Sequence, residues 1–127
     1  MVKPASKIFL EQILRNNPLQ PLIVAGKCSF NDEYAVFLAA DIDERELHIP
    51  TTWKDKIQAI DSRNTVYLVI QDLDSLNFEQ QNKFSGLLKD RRAGNFKLGN
   101  NVRVVISVDD AAKVSPELKK LSLIWEI

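Results

Sequence analysis

Val66-Tyr67-Leu68-Val69-Ile70 is continuously apolar, rich in β-branched residues, and runs straight into Gln71-Asp72-Leu73-Asp74. A short run with no polar alternation reads as a strand buried on both faces, and such strands belong to parallel sheets covered by helices. Val102 to Val108 repeats the pattern. Two strands of this kind leave little choice of architecture.

The intervening segments fit it. Leu22 to Ala25 is a short apolar run ending at Gly26, and Glu46 to Ile49 and Leu121 to Ile127 read as further strands. Between them the period becomes helical. Ser6 to Asn16 carries Ile8, Phe9, Ile13 and Leu14 and stops at Pro18. Asn31 or Asp32 can cap a helix containing Tyr34, Phe37 and Leu38. Thr52-Trp53-Lys54-Asp55 has capping-box spacing ahead of Ile57 and Ile60. Phe78 to Leu88 carries Phe84, Leu87 and Leu88, and Ser115-Pro116-Glu117 opens a last short helix with proline in its first turn. Alternation of strand and helix predicts an α/β sandwich: one mainly parallel, five-stranded sheet with helices on both faces, and any site along the strand C-termini. The 127 residues suit one domain, with no linker or repeat.

Composition narrows the function classes. Seventeen basic residues balance seventeen acidic ones, so no global charge points to nucleic acid or an anionic membrane. Cys28 is the lone cysteine and cannot form an internal disulfide, which favours a reducing compartment. No run approaches the ~20 apolar residues of a spanning helix, and Met1 to Lys7 lacks a signal-type core. A cytoplasmic protein is expected.

Asn82-Lys83-Phe84-Ser85-Gly86-Leu87-Leu88-Lys89-Asp90-Arg91-Arg92-Ala93-Gly94-Asn95-Phe96-Lys97-Leu98-Gly99-Asn100-Asn101-Val102, following the Val66–Asp74 strand end, resembles the MoxR-type branch of the AAA+ ATPases. There a helix after the Walker B strand leads through a "dr..g..kl..nv" segment into the sensor 1 strand. The resemblance covers Val66 to Asp110 well, and the order of elements extends it across residues 1–127. It implies a three-layer αβα, P-loop NTPase-like core with strand order 5-1-4-3-2, and a helical lid that would follow the last strand is expected to be absent.

Position by position, the chemistry that the resemblance implies is lost. A P-loop wraps phosphates in backbone N–H groups and neutralises them with lysine. Here Gly26 is followed by Lys27-Cys28-Ser29-Phe30 and then Asn31, and Asp32 and Glu33 stand where lysine and hydroxyl belong. Gln71 stands at the metal-binding aspartate, Asp72 at the water-activating glutamate, and Asp109 near the sensor 1 asparagine. Lys119 and Lys120 occupy the segment where the family carries an arginine, and lysine lacks the planar fork that clamps a phosphate. Phosphoryl transfer needs cradle, metal and polarising cation together. Hydrolysis is therefore not expected, and no catalytic residue or cofactor is assigned.

Other residues have a functional and a simpler reading. Asp72, Asp74 and Asp109 could hold magnesium for a phosphoester hydrolase; in the preferred reading Asp74 caps the following helix and Asp109-Asp110 caps one before Ala111. His48, on a short strand without partners at metal spacing, reads as a packed or edge histidine, and Cys28 as a loop or core residue. Lys89, Arg91, Arg92, Lys97 and Arg103, with Phe96 among them, could touch nucleic acid in a clamp-loader-like subunit; a solvated helix end is the preferred alternative. Trp53 and Trp125 lie near the sheet edges, where core packing is preferred to docking. The resulting expectation is a non-catalytic AAA+-like domain that binds protein, whether AAA+ subunits or copies of itself. Arg91, Arg92, Phe96 and Lys97 are the interaction candidates. Nucleic acid is less favoured and a membrane is not expected.

Overall fold

The computed structural model describes residues 3–4, 20–26, 28–29, 35–48, 52–58 and 65–126, with side-chain surroundings given for all of these except 3, 4, 28, 29, 46, 52, 53 and 56. The predicted helix over Ser6 to Asn16 lies outside the described residues, as do Asn31, Asp32, Glu33, Tyr34, Ile49 and Ile60.

Five strands make the main sheet: β1 (Leu22–Ala25), β2 (Ala35–Leu38), β3 (Val66–Gln71), β4 (Val102–Val108) and β5 (Leu123–Glu126). They lie side by side as β5-β1-β4-β3-β2, and every neighbouring pair is parallel. Two-residue strands add small pairings elsewhere, Lys3–Pro4 with Cys28–Ser29 and Arg92–Ala93 with Phe96–Lys97. The helices are α1 (Glu44–His48), α2 (Thr52–Gln58), α3 (Phe78–Gln81), α4 (Ser85–Asp90) and α5 (Pro116–Leu121), with a 3-10 turn at Asn82–Phe84 joining α3 to α4. The α/β expectation of a five-stranded parallel sheet holds.

Alternation along each central strand explains why both faces are apolar. Val66, Leu68 and Ile70 of β3 and Val102, Val104, Ile106 and Val108 of β4 point to one face, where they meet Ile57, Phe84, Leu87, Leu88 and Leu118 from the helices. Tyr67, Val69 and Val105 point to the other, with Leu22, Val24, Leu123 and Trp125. A period of two gives one strand two buried faces only if both sides of the sheet are covered. No described helix contributes to the second cluster. Trp125 is half-buried there, as the core-packing alternative expects.

Two predicted elements are corrected. Ala35–Leu38 is the edge strand β2, not a helix, and pairs with Leu68–Gln71 of β3. Glu44–His48 is helix α1, not a strand, so a different segment fills the outer place in the sheet. Glu, Arg and Leu are good helix formers, whereas Val36 and Phe37 suit a pleated edge. His48 ends that helix, exposed, instead of sitting on a strand. None of the described helices is long and apolar enough to cross a membrane.

Candidate functional site

Parallel strands bring their C-termini to one side of the sheet, and the site expected there is built from the ends of β3 and β4. Gln71 closes β3, half-buried, and Asp72 then adopts a left-handed backbone with φ 60°. That turn sends Leu73 back into the core, where it is fully buried. An L-residue other than glycine pays about 1–2 kcal/mol for this conformation, and aspartate tolerates it better than most. The carbonyl of Asp72 accepts hydrogen bonds from the Ser75 N–H at 3.1 Å and Ser75 Oγ at 2.7 Å. The reversal is thereby locked.

Asp74 does not cap the next helix. Asn77 does, in a reciprocal capping box with Gln80: the Gln80 N–H donates to Asn77 Oδ1 at 2.8 Å, and the Asn77 N–H to Gln80 Oε1 at 3.2 Å. Asp74 reaches across to the neighbouring strand end instead. Its Oδ2 accepts the N–H of Asp109 at 3.0 Å and that of Asp110 at 3.3 Å. Asp110 caps the turn Ala111–Lys113, its Oδ1 accepting the Ala112 N–H at 2.9 Å. Consecutive N–H groups at a strand end form the kind of concavity that binds anions. Here a carboxylate of the chain itself fills it.

Asp72, Asp74 and Asp109 line one open cleft of about 460 Å3 together with Leu38, Ser75 and Lys113. The sequence-predicted carboxylates are thus brought together, and Lys113, which sequence reasoning passed over, joins them. Three carboxylates against one ammonium leave the cleft formally negative. Among the described residues no group of three or more His, Cys, Asp or Glu could hold a metal ion. Lys119, half-buried, and Lys120, exposed, lie on α5 and do not line this cleft.

Gly26 is likewise committed to the sheet. Its backbone has φ 124°, and its N–H donates to the carbonyl of Val108 at 2.9 Å, extending the β1–β4 ladder by one step. Residues 26–34 are all that join β1 to β2.

The basic candidates separate into two groups. Arg91 ends α4 with φ 55°, and its Nη2 donates to the carbonyls of Gly99 at 2.9 Å and Val102 at 2.7 Å. Burial, and secondarily the positive charge of Arg103, hold its guanidinium below the usual arginine value. It braces the fold from within and is not a solvated helix end. Arg103 donates to the carbonyl of Asn100 beside it. Phe96 is half-buried, with the Lys54 ammonium 5.8 Å from its ring centroid. Arg92 and Lys97 remain exposed.

The clasp between strand ends gives a direct expectation. Asp74→Ala removes the acceptor of two backbone N–H groups and should lower unfolding stability by about 1–2 kcal/mol, read by urea denaturation. Asp74→Asn keeps an acceptor oxygen and should lose less. Equal losses would mean that the hydrogen bonds do not carry the effect. A scan against models of known protein families finds no match for this chain, and a search of curated proteins finds no relative.

Proposed function

We propose that this is a non-catalytic AAA+-like domain that works by binding protein, in the cytoplasm, alongside AAA+ subunits or further copies of itself. One observation carries the reading. Among the described residues, three backbone donors at the strand C-termini already have internal acceptors: Gly26 N–H on Val108, and Asp109 and Asp110 N–H on Asp74. The carboxylates lining the cleft add repulsion toward a triphosphate, which carries the same sign of charge.

The magnesium-dependent hydrolase reading uses Asp72, Asp74 and Asp109, but one oxygen of Asp74 is engaged twice within the chain. The DNA-associated reading loses Arg91 to internal carbonyls. Protein binding is favoured over both.

The test is thermal denaturation with ATP, ADP and magnesium, separately and together, followed by a turnover assay. A ligand that binds only the folded state raises its stability by about 2.7 kcal/mol at one hundred times Kd. No saturable rise from the strand-edge cleft and no turnover are expected. ATP turnover that disappears on Asp72→Asn would overturn the reading.

A further inference from the structure

We propose a second site, a phosphate-binding groove between α1, α4 and the hairpin formed by Arg92–Ala93 and Phe96–Lys97. A cavity of about 190 Å3 lies there, with Glu44, His48, Lys83 and Arg92 as walls over Leu47 and Leu87. It is smaller than the roughly 300–1,000 Å3 typical of drug-sized ligands, so it suits an ion or a single group. Both leucines are buried and give the groove a fixed floor.

Charge selects the occupant. The hairpin register sets Arg92 directly opposite Lys97, and cross-strand partners share a face. The inward-facing pair is Ala93, which is buried, with half-buried Phe96; the outward-facing pair is two cations. Like charges directly opposite one another destabilise a hairpin. Neither side chain has an acidic partner among the described residues. Lys83 stands across the groove, its ammonium 5.2 Å from the ring centroid of buried Phe84. Lys83 and Arg92 against Glu44 leave the lining a formal charge of one positive, two minus one, and Lys97 adds its charge beside Arg92 on the hairpin without lining the cavity. That excess favours an anion, and the guanidinium fork of Arg92 matches the oxygens of a phosphate. His48 adds a ring N–H. On the open side a side chain at Gly86 would meet nothing within 4 Å, so the approach is clear.

The site is independent of the strand-edge cleft and is tested separately. Heteronuclear NMR titration with inorganic phosphate at constant ionic strength should give saturable shifts at the Gly86 and Gly94 amides, with Kd of about 1 mM. Acetate should bind at least about tenfold more weakly, and Arg92→Ala should raise the phosphate Kd about tenfold, the loss of one charge-assisted contact. Lys120→Ala, away from the groove, should change nothing. No saturation, equal binding of acetate, or indifference to Arg92→Ala would overturn the proposal. O-phosphoserine distinguishes the source: equal affinity assigns free phosphate, and tighter binding assigns a phosphate carried on a chain, and either sustains the site. A nucleotide could also enter through its phosphates. ATP stabilisation abolished by Arg92→Ala arises in this groove and supports it. Stabilisation that survives Arg92→Ala, with shifts at the strand-edge amides, counts against the non-catalytic reading and not against this one.

Discussion

Gln81→Leu is expected to lower unfolding stability by about 3–4 kcal/mol and the melting temperature by roughly 10–15 °C. Gln81 is fully buried, and its amide joins three segments. Nε2 donates to the carbonyls of Leu76 at 2.9 Å and Lys113 at 2.8 Å, while Oε1 accepts the Ser115 N–H at 2.7 Å. Ser115 in turn caps α5 through the Leu118 N–H and donates its Oγ hydrogen to Asn82 Oδ1 at 2.6 Å. Leucine has similar bulk and greater apolarity, so burial area alone predicts no loss. Three stranded polar groups predict a large one, because each costs about 1–3 kcal/mol when buried without a partner. Gln81→Glu should fail as well, since a carboxylate cannot donate to the two carbonyls. Thermal and urea denaturation of both variants check this. A melting temperature within 2 °C of wild type for Gln81→Leu, against a shift of roughly 3–5 °C per kcal/mol, would show that the network contributes little.

Gly94→Ala should cost about 3 kcal/mol, by two additive routes. Gly94 has φ 60°, where an alanine loses about 1–2 kcal/mol. An added Cβ would also lie 1.9 Å from the carbonyl oxygen of His48 and 2.9 Å from its carbonyl carbon. Those are backbone atoms at the end of α1, so no rotamer change relieves the clash and the hairpin must move, at a further cost of about 1–3 kcal/mol. Gly86→Ala is the matched control: it sits in α4 with nothing within 4 Å of the new methyl. It should be neutral or stabilising by up to about 0.5–1 kcal/mol. Equal effects at the two glycines, measured by urea denaturation, would contradict the packing at the hairpin tip.

Much of the sheet was legible because Val66–Ile70 and Val102–Val108 admit only one use. The four-residue run Ala35–Leu38 was not. Tyr34, Phe37 and Leu38 have helical spacing, but a run so short fits a strand equally well, and pairing with β3 decides it. The carboxylate cleft was foreseeable, because a parallel sheet gathers its strand C-termini. What Asp74 does there was not, since its partners lie 35 and 36 residues further along the chain. Gln81 carries a signal of its own in the sequence. It lies three residues before Phe84 and seven before Leu88, on the apolar stripe of the α3–α4 segment, and a polar residue on that stripe needs internal partners. The Asn77-x-x-Gln80 capping box was equally open to view. The left-handed turns at Asp72 and Arg91 leave no such trace, since both residue types occur freely elsewhere.

The central claim is that the described strand C-termini hold no nucleotide because the N–H groups of Gly26, Asp109 and Asp110 are already occupied. Amide chemical shifts recorded during titration with ATP and magnesium test it at the atoms concerned. The account predicts that the N–H signals of Gly26, Asp109 and Asp110 stay in place through saturating ATP. Saturable movement of those amides, persisting in Arg92→Ala, would contradict it.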